Sequence, residues 1–178
     1  FDVAITNPPF SMGYSVTVPD EKEILDQYEL ASWAGKKKKS LRSSIMFMER
    51  YWNLLKPGGR LLTVIDDSVL SSKSFVFARD WIRAHFIVRG VISLHGDAFQ
   101  RQGARAKTSI LCLEKTATPS DQPSFFVYES QYIGVDDVVT RTPRSVAEQA
   151  KENAKKEIEE IRKDYQDFLA GKTGDWSL

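Results

Sequence analysis

The sequence predicts an α/β fold, with an open sheet of mainly parallel strands, an antiparallel hairpin at the sheet edge and a long C-terminal helix. Two observations predict the sheet: continuous apolar runs, typical of strands covered on both faces, and the stretches between them, where apolar residues recur every three or four positions. A third observation predicts the helix, since residues 144–178 carry an amphipathic pattern of helical period.

The predicted elements follow the chain in a regular alternation. Asn7-Pro8-Pro9 ends the first strand, because proline has no backbone N–H for a sheet ladder. Pro57-Gly58-Gly59 ends a helix and leads into the next strand. The full set is a buried strand at 1–6, a long loop at 11–40 with one short helix near 21–30, a helix at 44–55, a strand at 61–65, a helix at 74–85, a strand at 86–94, a loop at 95–107, a strand at 108–113 and another at 124–128.

The C-terminal segment has the signals of a single amphipathic helix. Ser145 and Glu148 have the spacing of a capping box, and Gly171 is placed to end the helix. This helix either lies on its own domain or binds a partner. The domains are predicted as 1–115, a linker and edge strand at 116–143, and the helix with its tail at 144–178. The apolar stripe consists of Val146, Ala150, Ala154, Ile158, Ile161, Tyr165 and Phe168.

Composition excludes several classes of protein. With 178 residues, 42% of them hydrophobic, the chain can bury a core and is not mainly disordered. No apolar run approaches the roughly 20 residues of a membrane span. The single cysteine excludes an intramolecular disulfide and a cysteine-based zinc site, and a reducing cytoplasmic setting is expected. Because the chain begins with Phe rather than Met, we expect a fragment.

Charge is distributed unevenly along the chain. Residues 33–107 carry 15 Lys or Arg against 5 Asp or Glu, although the net charge of the whole chain is only +1. A basic block of this kind suits a polyanionic partner such as nucleic acid, and a solvated face is the alternative.

The most informative short segment is Asn7-Pro8-Pro9-Phe10, directly after the first predicted strand. Successive prolines fix φ and remove two backbone donors, so the carbonyls there are rigid acceptors. The Asn7 side chain adds another acceptor, and Phe10 adds a flat face. Open α/β sheets bind ligands at the carboxyl ends of their strands, so we predict an acceptor pair for an NH2 group. A simple strand-ending turn is the alternative.

This segment resembles the catalytic motif of the N6-adenine DNA methyltransferases, which reads Asn or Asp, Pro, Pro, then Tyr or Phe. Residues 53–60 are similar to that family's helix-to-strand turn, and residues 91–99 with 107–111 are similar to its final hairpin. The combination is most like the methylase subunits of type I restriction-modification systems. The resemblance covers residues 1–115 and implies the C-terminal part of a Rossmann-like, S-adenosylmethionine-dependent methyltransferase sheet.

The resemblance also implies a reaction, transfer of a methyl group from S-adenosylmethionine to adenine N6 in double-stranded DNA, with the base flipped out of the duplex. Asn7 and the Pro8 carbonyl would accept hydrogen bonds from the adenine amino group, and Phe10 would stack on the base. Pro9 completes this catalytic turn, and Asn7 and Pro9 would contact the cofactor. No metal is implied, because the two histidines, His85 and His95, stand apart from other ligand types.

Partners are implied as well. The helix at 145–170 would dock a specificity or restriction subunit. A lysine run after the catalytic turn and a basic loop in the final hairpin would contact DNA, with a solvated face again the alternative for the lysines. The residues concerned are Lys36, Lys37, Lys38, Lys39, Arg42, Arg101, Arg105 and Lys107.

One family feature is missing from the sequence. The family binds its cofactor largely on a Gly-rich turn, and the chain has no Gly-x-Gly. We therefore expect the chain to be inactive alone and to bind S-adenosylmethionine without useful affinity. Two other functions stay open, a methyltransferase acting on RNA or on protein glutamine and a non-catalytic assembly module of a restriction-modification complex.

Overall fold

The computed structural model describes residues 1–10, 12–35, 37–96, 98–99, 107–116, 122–132 and 144–172. The strands are β1 (Val3–Thr6), β2 (Gly13–Ser15), β3 (Ser40–Arg42), β4 (Arg60–Asp66), β5 (Phe86–Ser93), β6 (Thr108–Lys115) and β7 (Phe126–Glu129). The α-helices are α1 (Pro19–Leu25), α2 (Ser43–Leu54), α3 (Asp67–Ser71), α4 (Val76–His85) and α5 (Arg144–Leu169), with 3₁₀ turns at Glu29–Ala31, Trp33–Gly35 and Lys73–Phe75. Among the helices described, none is both long and apolar enough to cross a membrane.

The main sheet has the strand order β1-β4-β6-β5-β7. β1 and β4 are parallel, with Val3 opposite Arg60 and Thr6 opposite Thr63. β6 runs antiparallel to β4, because Lys115 at its end exchanges backbone hydrogen bonds with the Gly58–Gly59 turn that precedes β4. The predicted α/β class is confirmed, with a mostly parallel sheet, an inserted antiparallel strand and a C-terminal helix.

The chain forms two compact units, residues 1–90 with 109–125 and residues 91–108 with 126–178. β5 and β6 contribute residues to both units. The division predicted from the sequence, with boundaries after residues 115 and 143, stays a prediction, and 117–121 and 133–143 of its linker lie outside the described residues.

The first unit has an aromatic core around His85. Trp81 is fully buried and stacks on the His85 ring at 4.1 Å between centroids. Trp33 and Trp52 meet the same ring edge-on at 5.5 and 5.0 Å. The His85 Nδ1–H donates to the Trp81 carbonyl at 2.8 Å, and Nε2 lies 3.5 Å from a carboxylate oxygen of Glu29. These contacts make His85 part of the packing of the first unit.

The prediction that β1 is a buried strand is wrong. The side chains of Val3 and Ile5 are 54% and 77% exposed, because no element that the structure describes covers the face of β1 on which they lie. A continuous apolar run predicts a strand correctly, but burial depends on which elements cover its face.

Residues 12–35 and 37–40 contain more secondary structure than the predicted loop. β2 pairs antiparallel with β3, placing Gly13 opposite Arg42. α1 begins at Pro19, earlier than predicted. Proline in the first turn, followed by Asp20 and Glu21, is typical of a helix start. Strands of three residues are too short to show an alternating pattern, which is why the hairpin was not predicted.

The helix α5 was predicted with the correct length and end. It closes at Gly171, whose φ of 69° is left-handed and whose N–H donates to the Phe168 carbonyl. Tyr165 and Phe168 pack against Phe126 of β7 within the second unit. Through these two rings the helix packs on its own unit, and binding of a partner by its other faces stays a prediction. The Ser145 side chain of the predicted capping box lies outside the described part of the chain.

Among the stripe residues whose side chains the structure describes, which leave out Val146, the prediction is wrong at Ile158. Ile158 is 62% exposed, whereas its neighbour Glu157 is only 4% exposed. The Glu157 carboxylate accepts hydrogen bonds from the Ser130 hydroxyl at 2.7 Å and from the Gln131 backbone N–H at 2.6 Å, at the end of β7. Donors at the end of β7 therefore draw Glu157 to the packed face of the helix. The spacing of apolar residues in the sequence carries no information about these donors.

We predict that Glu157→Ala lowers the free energy of unfolding by about 1–3 kcal/mol, because it leaves part-buried donors at Ser130 and Gln131 without an acceptor. Ile158→Ala, the adjacent control, should change it by less than about 0.5 kcal/mol. Urea unfolding of both variants measures the difference. The reverse order would show that α5 packs through the stripe predicted from sequence.

Candidate active site

The Asn7–Phe10 turn lies where β1 leaves the sheet. The Thr6 hydroxyl donates to the Thr63 hydroxyl at 2.8 Å and joins the end of β1 to the middle of β4. Asn7 is exposed, Pro8 is buried, Pro9 is exposed and Phe10 is half-buried. A polar side chain thus stands at the carboxyl edge of the sheet on a turn whose next residue is anchored in the interior.

The start of α2 fixes this turn. The Ser43 hydroxyl donates to the Pro9 carbonyl at 2.9 Å, and the Ser43 backbone N–H donates to the Met12 carbonyl at 2.7 Å. Within the described residues, the Asn7 side chain and the Pro8 carbonyl have no hydrogen-bond partner. One carbonyl of the turn therefore holds it in place, and two neighbouring acceptors stay available to a ligand.

A second polar group lies at the end of β4. Asp66 is 5% exposed, and its carboxylate accepts from the Arg42 guanidinium at 3.1 Å and from the Ser68 hydroxyl. The same guanidinium nitrogen donates to the Ser68 hydroxyl oxygen at 3.1 Å. Since Arg42 directly precedes Ser43, this network is joined through the backbone to the residue that holds the Pro9 carbonyl.

The carboxylates Asp66 and Asp67 are consecutive, at the end of β4 and the start of α3. Asp66 is buried against Arg42, and Asp67 accepts from the Ser109 hydroxyl of β6 at 2.6 Å. β4 continues three residues past Thr63, the partner of the last residue of β1, so its final side chains lie beyond the ladder. Both carboxylates therefore act within the protein as acceptors for donors from other elements.

The lysine run is divided by the structure. Lys37 Nζ lies 2.7 Å from a carboxylate oxygen of Asp26, and hydrogen bonds from Lys37 and Lys22 hold the pKa of that carboxyl below its ordinary value. Lys38 Nζ instead lies 4.0 Å from the centroid of the Phe77 ring. Lys39 is exposed, and Lys36 lies outside the described residues. Adjacent lysines in the sequence therefore have different surroundings.

Contact between DNA and the basic loop of the final hairpin stays a prediction. Arg101 and Arg105 lie outside the described residues. Lys107 is described, and its Nζ lies 3.3 Å from a carboxylate oxygen of Glu129 within the second unit. In the described ranges, no three His, Cys, Asp or Glu residues come together as metal ligands would.

Sequence reasoning missed Ser43, Ser68 and Ser109 as members of this site. Ser43 was detectable in part, because serine is frequent where helices begin. Ser68 and Ser109 were not, since their partners are set by tertiary contacts: Ser109 lies 42 residues from Asp67 in the chain.

Comparison with known proteins decides the family. A model of the N-6 DNA methylases matches residues 1–171. The chain belongs to the N-6 DNA methylase family. None of the curated proteins matches it.

Solved structures share the fold of this N-6 DNA methylase chain. A protein assigned to the class I S-adenosylmethionine-dependent methyltransferases of Listeria monocytogenes is 24% identical, with a TM-score of 0.58 over 74% of this chain and 37% of its own. A modification subunit assigned to a type I restriction enzyme of Vibrio vulnificus is 18% identical, with a TM-score of 0.56 over 79% and 27%. A type I restriction-modification system chain is 20% identical, with a TM-score of 0.61 over 98% and 32%. The chain thus spans about a third of the length of these structures.

The Gly58-Gly59 turn of this methylase chain does not make a cofactor cradle, because its backbone N–H groups are engaged within the chain. At the Gly58-Gly59 turn, the Gly58 N–H donates to the Lys115 carbonyl and the Gly59 N–H donates to the Lys56 carbonyl. A Cβ at Gly59 would lie 2.8 Å from the Lys56 carbonyl oxygen, so this glycine serves close backbone packing. The residues described therefore do not fit S-adenosylmethionine as a complete site.

Proposed function

We propose that this chain supplies the adenine-binding side of a DNA methyltransferase of the restriction-modification type, which methylates adenine N6. The observation that carries the proposal is the pair of unengaged acceptors, the Asn7 side chain and the Pro8 carbonyl, on a turn fixed by Ser43. Membership of the N-6 DNA methylase family supports the choice of adenine as the base.

The acceptor pair suits the chemistry of an amino group. The exocyclic nitrogen of adenine carries two N–H donors, and its lone pair is delocalised into the ring. Two acceptors that take both hydrogens favour a nitrogen whose lone pair is directed at an electrophile. As the nitrogen gains positive charge, its hydrogens become more acidic, so the bonds to Asn7 and Pro8 strengthen in the transition state. This differential strengthening is what would accelerate the reaction.

Rigidity of the turn adds to this effect. Proline fixes φ at two successive positions, and the Ser43 hydroxyl holds the Pro9 carbonyl. The acceptors therefore need little reorganisation when the base arrives. Phe10, half-buried beside them, would stack on the flipped ring.

S-adenosylmethionine is the methyl donor that the family implies. Asn7 and Pro9 are the residues of this chain proposed to contact it, and the main cofactor site is assigned to residues outside this chain. Double-stranded DNA is the proposed substrate, and the helix at 145–170 is the proposed contact for a specificity or restriction subunit.

The test uses the gene product that carries this chain, incubated with S-adenosylmethionine labelled in the methyl group and with DNA, RNA and protein acceptors in parallel. We expect label in DNA. Label in RNA or in protein glutamine would overturn the choice of substrate, and the absence of transfer to all three would favour an assembly module.

Phe10→Ala should raise the activation free energy for methyl transfer, expressed in kcat/KM, by about 1–3 kcal/mol, the usual contribution of one base–aromatic stack. Phe10→Tyr is the matched control, since it keeps the aromatic face, and it should retain most of the activity. Steady-state kinetics on a DNA substrate measure both variants. Equal losses in the two would show that ring stacking is not the role of Phe10.

A further inference from the structure

The first unit contains a groove of about 240 Å³ whose lining includes none of the residues of the Asn7–Phe10 turn. It lies between the β3 segment and the start of α4. Two cations, two hydroxyl groups and two aromatic rings line it, contributed by Lys38, Ser40, Arg42, Ser74, Phe75 and Phe77. Such a lining is suited to an anionic group.

The aromatic rings hold both cations in place. Lys38 Nζ lies 4.0 Å from the Phe77 ring centroid, and the Arg42 guanidinium carbon lies 4.8 Å from the Phe75 ring centroid. A cation attracted to a ring face loses side-chain freedom before any ligand binds. The groove therefore presents two positive groups in fixed positions.

Lys38 and Arg42 differ in how far the protein itself pairs their charges. In the part of the chain that the structure describes, Lys38 contacts no carboxylate, whereas Lys37 is paired with Asp26. Arg42 uses one terminal nitrogen for Asp66 and Ser68, and its other N–H groups have no partner among the described residues. Both groove cations can therefore donate to a further acceptor.

We propose that this groove binds a phosphodiester group of the DNA strand, with Lys38 and Arg42 as its ligands. The inference rests on the proposed function for the identity of the polyanion. Its position supports that choice, because Arg42 directly precedes Ser43, whose hydroxyl holds the Pro9 carbonyl. The phosphate groups of a DNA strand whose adenine reaches Asn7 would thus pass close to Lys38 and Arg42. Phe75 and Phe77 are positioning residues, since they act through the cations.

The test measures DNA affinity of the full chain by fluorescence anisotropy with a labelled duplex, as a function of NaCl concentration. For Lys38→Ala, the slope of log affinity against log salt should fall in magnitude by about 0.9, the loss of one phosphate contact. Lys37→Ala is the matched control and should leave the slope unchanged, although it removes the same charge from the next residue. Phe77→Leu should weaken binding while the slope is kept, because the lysine remains.

Three results would overturn the inference: no salt-dependent binding by the wild-type chain, an unchanged slope in Lys38→Ala, or an equal fall in Lys37→Ala. Circular dichroism of each variant verifies that it is folded. The outcome is separable from that of the proposed function. Loss of the Lys38 contact does not change which acceptor gains the labelled methyl group. Label outside DNA does not change the slope of log affinity against log salt.

Discussion

Replacing Asn7 by Ala is expected to reduce kcat for methyl transfer by about 100- to 1,000-fold, the usual effect of removing one preorganised hydrogen-bonding group from a transition state. The side chain is exposed and has no partner within the described residues, so its proposed work is done on the ligand alone. Stability should therefore change by less than about 0.5 kcal/mol. Kinetics of the gene product and thermal unfolding of the same variant measure the two effects.

Asn7→Asp is the control for this experiment. The carboxylate keeps an oxygen acceptor in the same place, and the family motif admits Asp at this position. We expect it to retain more activity than Asn7→Ala. Wild-type kcat in Asn7→Ala would remove Asn7 from the mechanism, and a large loss of stability would mean that Asn7 has a structural role.

Replacing Trp81 by Ala is expected to lower the free energy of unfolding by about 3–5 kcal/mol, as is usual for deletion of a large buried side chain. Trp81 is fully buried, stacks on His85 and donates from its indole N–H to Glu29 at 3.3 Å. Its loss would leave a cavity between α4 and the 3₁₀ turns and remove a part-buried hydrogen bond.

Trp33→Ala gives the comparison. Trp33 meets the same histidine edge-on but is only half-buried, so truncation should cost less than at Trp81. Urea unfolding of both variants measures the difference. A loss below about 1 kcal/mol for Trp81→Ala would show that this cluster does not form the core of the first unit.

The main strands could be predicted because each is a continuous apolar run with a breaker at its end. This holds for β4, which ends at Asp66, and for β6, although β6 lies between β4 and β5 and not at the sheet edge where the hairpin was predicted. The β2–β3 hairpin could not be predicted, since three-residue strands carry no period. The exposure of Ile5 and the burial of Glu157 could not be predicted either, because each depends on which elements pack against that face of the strand or helix.

The candidate site shows the same boundary between local and tertiary information. The Asn7–Phe10 turn could be predicted because the residues that define it are consecutive in the sequence. Its support was not, since Ser43 lies 34 residues from Pro9 and Arg42 lies 24 residues from Asp66. Likewise, the lysine run could be predicted as basic, but the pairing of Lys37 with Asp26 and the contact of Lys38 with the Phe77 ring could not.

We propose that Asn7 and the Pro8 carbonyl receive the amino group of adenine. Nucleoside analysis by mass spectrometry of DNA methylated by the gene product tests it most directly, because it identifies the atom that gains the methyl group. We predict that the label is found as N6-methyladenine, and that Asn7→Ala removes it. Label in 5-methylcytosine would contradict the claim, since a ring carbon offers no N–H for this acceptor pair.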